Sequence, residues 1–186
     1  TATTEIYPLS LHGALPISRF DSPSVFARLL DHDRGGSFAI RPFRRPFESL
    51  QAYDGDTNVL ETLFVDPSRG TARLVDSMPW SGDPRSSLHE LHRRLDCTSG
   101  EIEIEIVFDP RFSYGADVPK IEIGAWGVIA VGAAGERLSL SISTSLDLEH
   151  LPRGGVRAVV TLRPGMTVWS SEEHTSELHS LTNLVC

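Results

Sequence analysis

The chain has 186 residues, 40% of them apolar, and carries 17 Lys and Arg against 25 Asp and Glu for a formal charge of −8. That acidic balance, without a basic stripe, excludes nucleic acid and anionic membrane surfaces as partners. No apolar run approaches the ~20 residues of a membrane span.

In chain order, the first segment does not read as part of a fold. The run Pro8-Leu9-Ser10-Leu11-His12-Gly13-Ala14-Leu15-Pro16-Ile17 resembles one reading frame of a short-read sequencing adapter. At the other end, Ser170-Ser171-Glu172-Glu173-His174-Thr175-Ser176-Glu177-Leu178-His179-Ser180 resembles a frame of the partner adapter. Segments foreign to a fold are set aside before structural reading. Residues 1–18 and 170–186 are therefore expected to pack poorly, and residues 19–169 to form one truncated domain, long enough for a real core.

The ends hold Glu5, Glu172, Glu173 and Glu177, so 21 of the 25 acidic residues face all 17 basic ones in the middle, a net charge of −4. Sixteen of those 17 are arginine, with Lys120 alone, a bias that points to a GC-rich bacterial genome. Cys186 lies in the end segment, which leaves Cys97 without a disulfide partner and no demand for an oxidising compartment. His12 and Pro16 interrupt the one stretch that could pass for a signal-peptide core, so the expected location is the cytoplasm.

Residues 22–30 predict a helix, with Ser22 as cap, Pro23 at the first helical position and an apolar stripe of Val25, Phe26, Leu29 and Leu30. Beyond it, period-two patterning dominates. Strands are predicted at 37–41, 59–65, 72–78, 89–97, 101–108, 121–123, 127–131, 138–143 and 156–162. The clearest is Glu101-Ile102-Glu103-Ile104-Glu105-Ile106-Val107-Phe108, with isoleucines on a buried face and glutamates on a solvated one. Turns at Asp54-Gly55, Pro67-Ser68-Arg69-Gly70, Ser99-Gly100, Ala134-Gly135 and Arg153-Gly154-Gly155 separate the strands. Short strands with no helices between them predict an all-β antiparallel sandwich with one short helix near the N-terminus.

Few residue clusters invite chemistry. His89-Glu90-Leu91-His92 has the residues of a zinc-protease motif but a spacing of three in a strand, where the two histidines face opposite sides. Asp54-Gly55-Asp56-Thr57-Asn58 lacks the acid that closes a calcium loop, because Glu61 comes too early, and reads as a turn. Glu101, Glu103 and Glu105 repeat along one strand face and read as a solvated surface rather than a glycosidase pair. Cys97 has no base nearby in sequence and reads as a small core residue. No metal, cofactor or catalytic residue is assigned. One loop stands out: Arg19, Phe20, Asp21 and Ser22 place a planar cation, an aromatic ring and an acid together, a mix that recognises a sugar edge and face. The favoured reading of Asp21 or Ser22 is a plain helix cap, and a loop presenting Arg19 and Asp21 to a sugar is the alternative.

The same residues carry a family resemblance. Arg19 to Asp31, Arg-Phe-Asp-Ser-Pro-Ser-Val-Phe-Ala-Arg-Leu-Leu-Asp, resembles the opening motif of the trehalase-like N-terminal domain that precedes the catalytic module of bacterial glycoside hydrolases of family fifteen, the glucoamylase and trehalase group. Asp56-Thr57-Asn58-Val59-Leu60-Glu61-Thr62 resembles its early strand, and Val75-Asp76-Ser77-Met78-Pro79 a later one, with Ser77 where an aromatic is usual. Ser99-Gly100-Glu101 through Phe108-Asp109-Pro110-Arg111-Phe112-Ser113-Tyr114-Gly115 resembles the long strand and its exit turn, and Leu162-Arg163-Pro164-Gly165 a late turn. The resemblance implies a large sandwich supporting an α/α toroid, with the catalytic glutamates on that toroid and outside this chain. It implies hydrolysis of an α-glucosidic bond with inversion by the parent enzyme, a glucoside at the rim, and an upstream Asp-Trp strand whose place is taken here by adapter-like sequence. The alternative is a freestanding carbohydrate-binding sandwich; against it, Trp80, Trp126 and Trp169 share no common strand.

Overall fold

The computed structural model describes residues 23–80 and 90–175. Twelve strands are arranged in two antiparallel sheets. They are β1 (Ser37–Pro42), β2 (Glu48–Tyr53), β3 (Leu60–Asp66), β4 (Gly70–Ser77), β5 (Glu90–Gly100), β6 (Ile102–Asp109), β7 (Lys120–Gly124), β8 (Gly127–Val131), β9 (Arg137–Ile142), β10 (Glu149–His150), β11 (Val156–Leu162) and β12 (Thr167–Thr175). The small sheet has the order β1-β6-β11-β10, and the large one β2-β3-β4-β5-β12-β9-β8-β7.

Alternation decides which side each strand shows. On β6, Ile102, Ile104, Ile106 and Phe108 are all buried and face the large sheet, as their period of two requires. Leu74 on β4, Leu91 and Leu95 on β5, and Leu138 and Leu140 on β9 are among the buried side chains of the same core. Turn chemistry closes the hairpins. Between β3 and β4, the Asp66 carboxylate accepts from the Ser68 amide at 3.0 Å and from its hydroxyl at 2.8 Å, bonds that hold its pKa below the usual range. At Gly100 (φ 66°) a Cβ would overlap the Arg69 carbonyl, so glycine alone fits where β5 turns into β6.

The predicted helix at 22–30 is not formed over the described part. Val25, Phe26 and Ala27 are all buried in succession, a pattern no helix face can offer, and the chain turns at 28–30 with Leu29 and Leu30 exposed. The aromatic core decides the outcome: Phe26 lies 6.3 Å from Phe38 and 6.1 Å from Phe108, ring centre to ring centre. The Ala27 amide donates to the Gly35 carbonyl at 2.6 Å, which closes residues 27–35 as a loop. Among the described residues the single helical element is the four-residue turn Phe112–Gly115, called α1.

The expectation that residues 170–186 pack poorly fails for 170–175. These residues continue β12 in the middle of the large sheet, with Ser170 opposite Arg93 on one side and Ile142 on the other. Pairing on both sides makes this stretch a central strand, an outcome that counts against a foreign origin for it. One side chain is poorly accommodated there. Glu172 is 0% exposed and neither carboxylate oxygen has a hydrogen-bond partner among the described residues.

Burial raises the Glu172 pKa from the usual 4.5 to about 8, opposed weakly by the Arg93 charge. Because the folded-state value is the higher one, the contribution of this group is most favourable below pH 4.5 and is lost as pH rises to about 8, by ~1.4 kcal/mol per unit across that window. Urea denaturation at pH 5 and pH 8.5 should therefore show a lower midpoint at the higher pH. Glu172→Leu should flatten that difference and stabilise the chain at pH 8.5; a less stable variant there would contradict the assignment.

Candidate functional site

One end of the sandwich is built from three loops that lock together. Where β6 leaves the small sheet, Asp109-Pro110-Arg111 leads into α1, in which Ser113 (φ 52°) and Tyr114 (φ 57°) both adopt left-handed backbone angles. Two consecutive non-glycine residues in that region cost roughly 1–2 kcal/mol each. The surroundings hold them there. Phe112 is buried and its amide donates to the Asp117 carbonyl at 2.9 Å, while the Tyr114 amide donates to the Ser24 carbonyl at 3.1 Å. The result is a tyrosine side chain held outward, 58% exposed.

Arg111 is the buried rivet of this end. Its backbone amide donates to the Val25 carbonyl at 2.9 Å, and its guanidinium donates to the carbonyls of Pro110 at 2.8 Å and Arg153 at 2.6 Å. Nη1 also lies 2.5 Å from Asp109 Oδ1, an ion pair angled so that this oxygen receives no directed hydrogen bond. Burial pushes the Asp109 pKa up, and the Arg111 charge pulls against it. Arg153 in turn donates to the Asp33 carbonyl at 3.1 Å. Segments 24–36, 109–117 and 151–155 thus share one hydrogen-bonded frame.

The sequence-derived rim residues Arg19, Phe20, Asp21 and Ser22 lie outside the described residues. The frame fixes Ser24, two positions later, against Tyr114 and Val25 against Arg111, and the Ser24 hydroxyl donates to the Phe26 carbonyl at 2.9 Å. Tyr114 lies in the exit turn that the sequence motif marks, but its exposure follows from left-handed backbone angles that the residue types alone do not indicate.

The other candidates fall into structural roles. His89 is outside the described residues, and His92 Nε2 lies 2.7 Å from Glu90 Oε2. Residues 54–59 form a turn in which the Asp54 amide donates to the Val59 carbonyl. Cys97 is buried, which raises its thiol pKa. The acidic stripe of β6 is less solvated than its spacing predicts. Glu101 pairs with Arg163 at 2.7 Å and Glu103 with Arg44, whose guanidinium holds that carboxyl below the usual range. Glu105 is buried beneath Arg41 at 2.8 Å and Arg157 at 3.7 Å. Arginines from β1 and β11 flank the stripe, a placement that only strand pairing reveals. Carboxylates engaged in this way do not form the facing acid and base that glycoside hydrolysis requires.

The architecture defines a two-sheet antiparallel sandwich with an ordered loop end, and comparison with known proteins gives its family. The chain belongs to the family described as trehalase-like, N-terminal, whose model matches residues 13–150. The match begins inside the adapter-like segment 1–18. Among curated proteins, a trehalase of Thermoplasma volcanium is 39% identical over 137 residues, which cover 73% of this chain and 21% of that protein. A trehalase of Thermoplasma acidophilum is 34% identical over 158 residues, 84% of this chain and 26% of that protein. Trehalase 1 of Sulfolobus acidocaldarius is 38% identical over 107 residues, 58% of this chain and 17% of that protein. The chain thus spans about a quarter or less of the length of these relatives.

The rivet can be tested directly. Arg111→Met removes the hydrogen bonds donated to two carbonyls and takes from Asp109 its paired cation, which should cost roughly 3–5 kcal/mol in urea denaturation. Adding Asp109→Asn should recover a substantial part of that loss, and no recovery would mean that Asp109 does not depend on Arg111.

Proposed function

We propose that the chain is the non-catalytic N-terminal sandwich of a bacterial, cytoplasmic glycoside hydrolase acting on α-glucosidic bonds, and that it supports an α/α toroid catalytic domain. The observation that carries this reading is the set of trehalase relatives that match this chain over about a quarter or less of their own length. The arginine-bound carboxylates of β6 agree with it, since they leave no facing acid and base there. A bacterial source rests on the arginine bias of the composition. In the described residues no helix is long and apolar enough to cross a membrane.

The parent enzyme would invert the anomeric centre: a carboxylic acid protonates the leaving oxygen while a carboxylate activates water, both from the catalytic domain. No metal or organic cofactor enters this reading. Arg19 to Ser22 would reach the glucoside rim, held by a frame that ends at Ser24 and carries Tyr114 beside it. The reading also treats residues 1–18 and 170–186 as foreign to the native domain, supported at one end by the unpartnered carboxylate of Glu172 in the core.

The purified chain should hydrolyse neither trehalose nor maltose. Grafted in place of the matched N-terminal region of the Thermoplasma volcanium trehalase, it should give a soluble chimera that retains hydrolysis, whereas deleting that region should abolish it. Within the chimera, Asp21→Ala should raise KM or lower kcat with little change in melting temperature. A helix cap would instead lose about 0.5–2 kcal/mol of stability and leave the kinetics alone. Hydrolysis by the 186-residue chain itself would refute the non-catalytic role.

A further inference from the structure

Away from the loop end, the sandwich has an open edge beside β7. The crossover formed by residues 143–148 runs there from β9 of the large sheet to β10 of the small one. Between this crossover and the β7–β8 turn lies a groove of about 330 Å³, at the small end of the ~300–1,000 Å³ typical of small-molecule sites. Ile123, Ile142 and Leu148 give it an apolar lining. At its mouth stands Trp126, 80% exposed, the most exposed large apolar side chain among the described residues.

The fold fixes the backbone that carries that indole. The Ile142 amide donates to the Trp126 carbonyl at 3.1 Å, and Gly127 passes so close to β9 that a Cβ would overlap the Leu140 carbonyl oxygen. The turn is therefore pressed onto β9 and its tryptophan is displayed. The crossover is also anchored at its start, where the Ser143 amide donates to the Trp169 carbonyl and the Trp169 amide to the Ser143 hydroxyl, both at 2.9 Å. The two tryptophans thus flank the end of β9 although 43 positions separate them in sequence.

Opposite the indole, the crossover presents Thr144, Ser145 and Asp147, all exposed and without a hydrogen-bond partner among the described residues. Glu149 is engaged by Arg157 at 2.8 Å. Among the described residues no lysine, arginine or histidine lines the groove. An anionic ligand would find no counter-charge, and a purely apolar one would meet a carboxylate and two hydroxyls. A neutral polyol with one apolar face meets neither obstacle: its C–H face lies on the indole and its hydroxyls donate to Asp147 and exchange bonds with Thr144 and Ser145.

We infer that this edge is an accessory binding groove for a neutral pyranose sugar, with Trp126 as stacking surface and Asp147 as acceptor. The choice of a glucose-type sugar rests on the glycoside hydrolase reading above. The groove is separate from the 19–22 rim and needs no catalytic group.

The test is a titration of the isotope-labelled 186-residue chain with maltotriose, followed by the indole N–H signals of its three tryptophans. Trp126 should shift with saturation at millimolar sugar, while Trp80 and Trp169 move little. Trp126→Ala should weaken binding by roughly tenfold or more. Asp147→Asn, which keeps the shape but removes the charged acceptor, should weaken it several-fold with an unchanged melting temperature. No saturable shift, or binding that survives Trp126→Ala, would overturn the inference. So would its loss in the chimera with the Thermoplasma volcanium trehalase, because the edge would then be covered by the catalytic domain. An active chimera without sugar binding at Trp126 would overturn the groove alone. An inactive chimera that keeps the binding would count against the support role alone.

Discussion

The structure depends on the strict alternation of β6. Its four apolar side chains, Ile102, Ile104, Ile106 and Phe108, meet the large sheet along the whole length of the small one. Slipping the strand by one residue would place four carboxylates, Glu103, Glu105, Asp109 and Glu101, toward the core, so the register is fixed by the cost of burying charge. Because β6 pairs with β1 on one side and β11 on the other, its register also sets theirs. Phe108 then meets Phe38 at 5.6 Å and Phe26 at 6.1 Å, which draws the N-terminal segment across the end of the core. Arg93 joins the sheets at the same end. Paired to Asp76 at 2.9 and 3.1 Å, it donates to the Phe38 carbonyl and lies over the Phe38 ring.

The opposite face of β6 holds its acids in ion pairs. Its acids sit between arginines contributed by both neighbouring strands. The more exposed pairs, at Glu101 and Glu103, add only ~0–1 kcal/mol each, so their main effect is to set charge positions and to keep the carboxylates engaged. Two other features stand out: the loop end, where Arg111 and the left-handed Ser113-Tyr114 turn hold Ser24 and Val25, and the open edge, where Trp126 is displayed. Both are loops on a rigid frame, the arrangement from which binding residues are commonly presented.

Much of the sandwich was legible because half-buried strands write their burial into the sequence. β3, β4, β6, β8, β9 and β11 all follow the predicted alternation. β2 was not legible: as an edge strand it exposes Leu50 and Tyr53 and shows no clean pattern. β12 was hidden because its second half was read as foreign sequence, although it pairs on both sides. The helix at 22–30 failed because local cap and stripe signals were weaker than the long-range demand for Phe26 among Phe38 and Phe108. The flanking of β9 by Trp126 and Trp169, and the arginines beside Glu105, are products of strand order, which no single segment contains.

The central claim, that β6 presents its isoleucines to the core and its glutamates to solvent and arginine, is tested most directly by two substitutions one residue apart. Ile104, 0% exposed, replaced by Ala should lose ~2–5 kcal/mol in urea denaturation. Glu103→Gln, which gives up a pair with a largely exposed arginine, should lose less than about 1 kcal/mol. A large loss at Glu103 beside a negligible one at Ile104 would contradict the register on which the whole sandwich is built.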